Sequence, residues 1–144
     1  MKRIAGFTLV ELMAAILVIG ILTAIAIPSY QRFVTRSYRS EGMALLNDAA
    51  ARQERFFAQN NSYVTAQAGV GQLGLPNTSG TTVTSATGKY TLSVSSAAND
   101  GGYTLTATRQ GPQVRDTECG NLTLDATGAR GATASGADAA NCWR

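Results

Sequence analysis

The sequence predicts an α+β fold in which one long N-terminal helix lies on a small antiparallel sheet of at least three strands. Three observations indicate it: an apolar run over 7–27 that continues as an amphipathic pattern to about residue 59, two alternating segments in the second half, and two cysteines near the end. A chain of 144 residues has room for one globular domain.

The apolar run over 7–27 predicts a membrane-spanning helix. A helix of this length rises roughly 31 Å, which matches a hydrocarbon core of about 30 Å. Lys2 and Arg3 precede the run and would stay cytoplasmic by the positive-inside rule. A secretory signal peptide is an alternative, but the residues from Pro28 onward carry no A-x-A cleavage pattern. A generic single-pass anchor also fits, but it leaves Glu11 unexplained.

Glu11 is the one charged residue inside the apolar run. A carboxylate at the centre of a membrane segment costs about 2.5–3.5 kcal/mol on insertion scales and less near the edge, so it calls for a partner. Because 7–27 contains no Lys, Arg or His, that partner comes from another chain, a lipid head group or a new N-terminus. The alternative is an edge carboxylate that reaches water.

The stretch 20–28 is predicted to kink or unwind. Pro28 removes one backbone donor and clashes with the carbonyl four residues earlier. Gly20 adds conformational freedom at the other end of the stretch. Together with Ala14 and Ala15, Gly20 would also let neighbouring helices approach closely.

An amphipathic helix is predicted from residue 30 to about 59. Its apolar stripe consists of Val34, Tyr38, Leu45, Ala49 and Phe56, widened by Phe33, Leu46 and Phe57. Charged residues fill the other faces, and Asp48 and Arg52 are spaced for an i,i+4 pair.

Three arginines, Arg32, Arg36 and Arg39, follow the membrane segment directly. One interpretation is contact with DNA or lipid phosphates. The favoured interpretation is a solvated helix face or contacts between subunits, because Glu41 and Asp48 lie nearby and few aromatic residues share that face.

The second half of the chain predicts a long polar connection followed by a hairpin. Residues 59–88 are rich in Gly, Ser, Thr, Asn and Gln, with few large side chains to bury. Four of the larger side chains could pin this connection to the domain: Tyr63, Val70, Leu73 and Leu75. Two alternating segments, 90–95 and 103–108, flank a turn sequence at 99–102, and a third strand is predicted over 121–125.

Cys119 and Cys142 enclose a tail rich in small residues that cannot pack well alone. A bond between them would stabilise the fold by roughly 3–4 kcal/mol, and two buried free thiols are the alternative. Asp116 and Glu118, with Asp125 nearby, form the one local carboxylate cluster. Ca²⁺ ligation is one interpretation of it, and solvated turn residues are the favoured one.

The composition argues against an enzyme. The chain has no histidine, which removes the commonest general base and the commonest metal ligand, so we predict no cofactor and no bound metal. The net charge of +3 falls to +1 if Lys2 and Arg3 are removed, which disfavours nucleic acid as a partner.

The octapeptide GFTLVELM over 6–13, after a short basic leader, resembles the class III signal of type IV prepilins. The resemblance implies that a prepilin peptidase cuts between Gly6 and Phe7 and methylates Phe7. The leader is then 1–6, the transmembrane and filament-core helix 7–29, and the globular domain 30–144. The resemblance also implies that Glu11 faces the N-terminal ammonium of a neighbouring subunit, and that 20–28 loses helical structure as the filament forms.

The end of the chain resembles minor pilins of the PilE type, through CGNLTLD over 119–125 and GAR over 128–130. Such a C-terminal region is usually bounded by a disulfide, here Cys119 and Cys142. The implied role is to prime pilus assembly and to enter the fibre at or near its tip, in support of twitching motility, adhesion or DNA uptake.

The implied partners are other major and minor pilins, the prepilin peptidase and the assembly platform of the inner membrane. The implied location is the inner membrane with the globular domain in the periplasm, and then the extracellular pilus. The alternatives are a major pilin, a type II secretion pseudopilin, and a pilus-borne receptor for DNA or a surface ligand.

Overall fold

The structure, a computed structural model, describes residues 8–144. The chain divides into two compact units, one that ends at Val34 and one that spans Thr35–Arg144. We call the second unit the head. Gly6 and Phe7, the predicted processing site, lie outside the described residues.

Helix α1 spans Leu9–Asn60, so the long helix predicted to end near residue 59 is confirmed. It remains helical through Gly20 and Pro28, where a kink or unwinding was expected. Thr23 Oγ1 donates to the carbonyls of Ile19 and Gly20, at 2.8 and 3.0 Å. Unwinding of 20–28 therefore stays a prediction about the assembled filament.

The face of α1 that is buried in the head differs in part from the predicted apolar stripe. Leu45, Leu46 and Ala49 are buried as predicted, and Phe57 is exposed. The buried residues of α1 are Arg39, Gly42, Leu45, Leu46, Ala49 and Gln53. Burial of the two polar residues, Arg39 and Gln53, is tolerated because each makes hydrogen bonds inside the head.

Gly42 allows the helix to approach the sheet closely. A Cβ atom added at this position would lie 3.1 Å from the ring of Tyr90, which is fully buried. Gln53 fixes the far end of the helix, since its side chain donates to the Val64 carbonyl at 2.7 Å and accepts from the Val64 amide at 2.9 Å.

The sheet is a six-stranded antiparallel meander in which each strand pairs with the next along the chain. The strands are β1 Thr78–Ser79, β2 Thr82–Thr84, β3 Tyr90–Ser95, β4 Thr104–Arg109, β5 Leu122–Asp125 and β6 Arg130–Ala132. The three predicted strands are present as β3, β4 and β5, and the three short strands were not predicted.

Apolar side chains pin the polar connection between helix and hairpin to the head, as predicted. It contains a first 3₁₀ helix, Gln67–Leu73, and the β1–β2 hairpin. Val70, Leu73, Leu75 and Val83 are buried in the core. Gln67 joins it to the sheet, because its side chain donates to the Leu92 carbonyl and accepts from the Val94 amide.

The head has one hydrophobic core, which lies between α1 and the sheet. Alternate residues of β3, β4 and β5 point into it, as the period-two pattern predicts: Leu92, Val94, Leu105, Ala107, Leu122 and Leu124. A second 3₁₀ helix, Gly111–Arg115, lies between β4 and β5, and a short helix α2, Ala139–Cys142, ends the chain.

Candidate functional site

The first unit presents an apolar helix whose side chains are uncovered. Large side chains from Leu9 to Ile27 are between 53% and 75% exposed. By length and composition this part of α1 could cross a membrane. So much apolar surface in one contiguous helix requires lipid or other helices around it.

Glu11 lies at the start of this helix and takes part in a capping box with Thr8. Its Oε2 accepts from the Thr8 amide at 3.3 Å and from the Thr8 hydroxyl at 3.2 Å, while the Glu11 amide donates to Thr8 Oγ1 at 3.3 Å. Sequence reasoning missed this role, although Thr-x-x-Glu is its known signature. The contacts are with neutral groups, so the negative charge has no cationic partner among residues 8–144.

The three arginines that follow the membrane segment do not share one environment. Arg32, in the first unit, and Arg36, in the head, are exposed. Arg39 is only 5% exposed, so its predicted place on a solvated helix face is wrong. Its Nε and Nη2 bind the two carboxylate oxygens of Asp116 at 2.6 and 2.8 Å, and Nη2 also binds Glu118 at 2.7 Å.

Asp116 is therefore not a solvated turn residue as predicted, because it is 2% exposed and paired. Ligand atoms of Asp116, Glu118 and Cys119 lie within 4.8 Å of one another. The guanidinium of Arg39 already supplies the positive charge that these carboxylates need. Asp125 does not belong to this group: it is the last residue of β5, it is half-buried, and its Oδ1 accepts from Thr127 and Ala129.

Arg39 belongs to a buried polar cluster that joins the helix to the β4–β5 connection. We define the Arg39 cluster as Arg39, Tyr90, Gln113, Asp116 and Glu118. Gln113 Nε2 donates to the Tyr90 hydroxyl at 3.0 Å and to Asp116 at 3.3 Å. Buried side-chain polar atoms in the described part of the chain all have partners.

Electrostatics within the Arg39 cluster follow from this geometry. The hydrogen bond with Asp116 raises the pKa of Arg39 above its ordinary value, against the opposing effect of burial. The hydrogen bond from Arg39 lowers the pKa of Glu118. Burial raises the pKa of Tyr90 to about 12, although the bond from Gln113 acts the other way. At neutral pH Arg39 and Glu118 are therefore charged and Tyr90 is neutral.

Cys119 and Cys142 form a disulfide with their Cα atoms 5.6 Å apart, so the predicted bond is present. The Cys119 amide donates to Asp116 at 3.2 Å, which connects the disulfide to the Arg39 cluster. Trp143 follows Cys142 in the sequence. Its Nε1 donates to the Gly131 carbonyl at 3.0 Å, and the Arg130 guanidinium lies 5.0 Å from its ring centre.

Comparison with family profiles assigns both parts of the chain. Residues 1–27 match the prokaryotic N-terminal methylation motif. Residues 28–123 match a family described as type IV minor pilin ComP, DNA uptake sequence receptor.

Individual relatives agree with these profiles. The chain is 41% identical over 78 residues to the type IV wide pilus major component PilA4 of Thermus thermophilus, covering 54% of this chain and 60% of that protein. It is 44% identical over 61 residues to the type IV major pilin protein PilA of Myxococcus xanthus, covering 42% and 28%. It is 35% identical over 103 residues to the fimbrial protein EcpC of Eikenella corrodens, covering 72% and 61%. The chain thus spans between 28% and 61% of the length of these curated relatives.

A solved structure shares the fold. It is a type IV pilin from Shewanella oneidensis, which is 25% identical, with a TM-score of 0.50 over 76% of this chain and 98% of that one.

A methylation motif, an uncovered apolar helix and a small antiparallel sheet closed by a disulfide define a class of bacterial filament subunits. The chain belongs to the type IV pilin family.

Proposed function

We propose that this protein is a minor pilin that helps to prime assembly of a type IV pilus and enters the fibre at or near its tip. The observation that carries the proposal is the uncovered apolar helix with the uncompensated charge of Glu11 near its start. The match of residues 28–123 to a minor pilin family supports the minor role.

Maturation begins with the leader. We infer that a prepilin peptidase removes residues 1–6 and methylates Phe7, in accordance with the methylation motif over 1–27. Cleavage before the apolar run keeps the helix in the mature protein. It creates an N-terminal ammonium on Phe7, immediately before Thr8 and four residues before Glu11. The mature subunit then carries both a cation and an anion at the same end of its helix.

Docking follows from these two charges. Glu11 is held by neutral donors at 3.2–3.3 Å, so its charge is free to pair with the N-terminal ammonium of another subunit. A buried pair is far less costly than either charge alone. The Glu11 pair would therefore set the axial register of an incoming subunit, while 12–27 supply the packed helical core.

Before assembly the subunit resides in the inner membrane with its head in the periplasm. It then passes through the assembly platform into the pilus. Loss of helical structure over 20–28 during this step would follow from Pro28 and Gly20, since neither supports a rigid helix. Its partners are other major and minor pilins.

Gene deletion with complementation tests the priming role. We expect cells without this protein to lack surface pili while the dominant pilin remains in the membrane at normal amount. Disappearance of the dominant subunit itself would identify the protein as the major pilin and contradict the proposal.

A second candidate function is DNA reception, which is favoured by the family description over 28–123. Because Arg39 is buried and paired with Asp116, Arg32 and Arg36 are the two exposed members of the three arginines that follow the membrane segment. DNA affinity that falls steeply with salt, and that is lost in the Arg32→Gln/Arg36→Gln variant, would support this function. Affinity that does not depend on salt, or no binding, would exclude it.

A further inference from the structure

The second 3₁₀ helix exposes an apolar side chain that the core does not use. Val114 is 56% exposed, and Pro112 and Arg115 beside it are also exposed. The other exposed large hydrophobic residue of the head is Phe57, at the far end of α1, which is less open at 38%. The Arg115 side chain has no hydrogen-bond or ion-pair partner within residues 8–144.

This 3₁₀ helix is fixed to the point where the chain enters the head. Gln113 Nε2 donates to the carbonyl of Thr35, the first residue of the head, at 3.2 Å. Arg36 follows Thr35 and is exposed. We call Arg36, Pro112, Val114 and Arg115 the basal patch.

The basal patch carries a net positive charge. Four arginines lie in or beside it: Arg36, Arg39, Arg109 and Arg115. The carboxylates nearby are Asp116 and Glu118, and Arg39 already binds both of them. Arg109 donates to the carbonyls of Val114 and Asp116, which fixes the backbone of the connection without neutralising any charge.

The sequence around residue 30 locates the membrane boundary near the start of the head. The apolar run ends at Ile27, and Tyr30 and Phe33 are 69% and 70% exposed, as in the aromatic belts of membrane interfaces. Thr35 comes two residues after Phe33. In a subunit anchored by this helix, Thr35 would follow the membrane boundary closely in the sequence.

We propose that the basal patch binds the surface of the bilayer before assembly, with Val114 among the head groups and upper acyl chains and with Arg36 and Arg115 on the phosphates of anionic phospholipids. The apolar side chain and the cations complement the two layers of that surface. This inference rests on the membrane anchoring included in the proposed function.

Depth-dependent fluorescence quenching tests the inference on the full chain. The chain has one tryptophan, Trp143, which provides the background emission. A Val114→Trp variant is reconstituted in vesicles of phosphatidylcholine with or without phosphatidylglycerol, both containing lipids brominated on the upper acyl chain. A Leu17→Trp variant reports insertion of the helix, with lipids brominated near the bilayer centre.

We expect the tryptophan at position 114 to be quenched in anionic vesicles and less so in neutral ones. Changing Arg36 and Arg115 to Gln should lower the docked fraction by roughly fivefold for each arginine removed. Arg55→Gln is the matched control, because Arg55 is exposed on the same helix but lies about 28 Å from Arg36 along it.

The outcomes separate the inference from the function on which it rests. Quenching at position 17 without quenching at position 114 overturns the inference and leaves anchoring intact, whereas no quenching at position 17 overturns both. Equal quenching in neutral and anionic vesicles overturns the role of the arginines. A change in the fluorescence of the tryptophan at position 114 on adding duplex DNA, without quenching by lipid, would assign the basal patch to nucleic-acid binding instead.

Hydrogen exchange on the unaltered chain provides a measurement that requires no substitution. The amides of Gln113 and Asp116 donate within the second 3₁₀ helix and its cap. We expect them to exchange more slowly in anionic than in neutral vesicles. Identical exchange in the two vesicles would contradict the proposal.

Discussion

At the scale of single residues, two charged side chains matter most, Arg39 and Glu11, and their environments are opposite. Arg39 is buried and fully paired with Asp116 and Glu118. Glu11 is exposed and makes hydrogen bonds only with Thr8. The first charge is neutralised inside the head, and we propose that the second pairs with another subunit.

Glu11 variants separate helix capping from charge. Gln keeps the side-chain geometry of a capping box but has no charge, whereas Ala has neither. If docking depends on the charge, Glu11→Gln and Glu11→Ala should both be processed normally, and both should be depleted from sheared pili, as quantified by mass spectrometry. Wild-type incorporation of Glu11→Gln would show that capping is the role of Glu11.

Removing Arg39 should destabilise the head strongly. In Arg39→Met the carboxylate of Asp116 stays buried without a cation, which costs about 3–5 kcal/mol in the free energy of unfolding. Urea denaturation of the purified protein measures the loss. The Arg39→Met/Asp116→Leu variant should recover much of it, because neither buried charge remains. A loss in Arg39→Met no larger than that in exposed Arg55→Met would contradict this assignment.

At the scale of secondary-structure elements, the sequence predicts those elements whose apolar residues recur with a strong period. The long helix and strands β3, β4 and β5 follow from regular apolar spacing. Strands β1, β2 and β6 are two or three residues long, too short for any alternation to show. The burial of Arg39 was missed because its partner Asp116 is 77 positions away, and no local pattern connects them.

The disulfide should contribute a large part of the stability of the second half. The Cys119→Ser/Cys142→Ser variant is expected to lose roughly 3–4 kcal/mol in the free energy of unfolding, because the open tail is rich in small residues. Thiol titration of the native protein should find no free thiol. Titratable thiols in the exported head would contradict the bond.

Stability should fall in acid partly through Glu41, which joins α1 to the turn before β3. Burial raises the pKa of Glu41, but hydrogen bonds from Thr87 and Ser85 outweigh it and lower the pKa overall. A lowered folded-state pKa gives stability above the unfolded value of about 4.3, and this stability is lost as the pH falls through the folded value. Glu41→Gln should flatten that loss in thermal unfolding between pH 5 and pH 3. An unchanged acid slope in the variant would exclude Glu41 as a source.

At the scale of the whole molecule, the chain combines two parts suited to two solvents. The unit that ends at Val34 leaves its apolar side chains open to lipid or to other helices. The head has its own core, sheet and disulfide. Lipid in a membrane and packed helices in a fibre can each cover the first unit.

The central claim is that this pilin enters the fibre as a processed minor subunit. Quantitative mass spectrometry of sheared, purified pili tests it most directly. We predict that the protein is present, begins at N-methylated Phe7, and is far less abundant than the dominant subunit. Its absence from the pili, its presence there with residues 1–6 intact, or its presence as the dominant subunit would contradict the account.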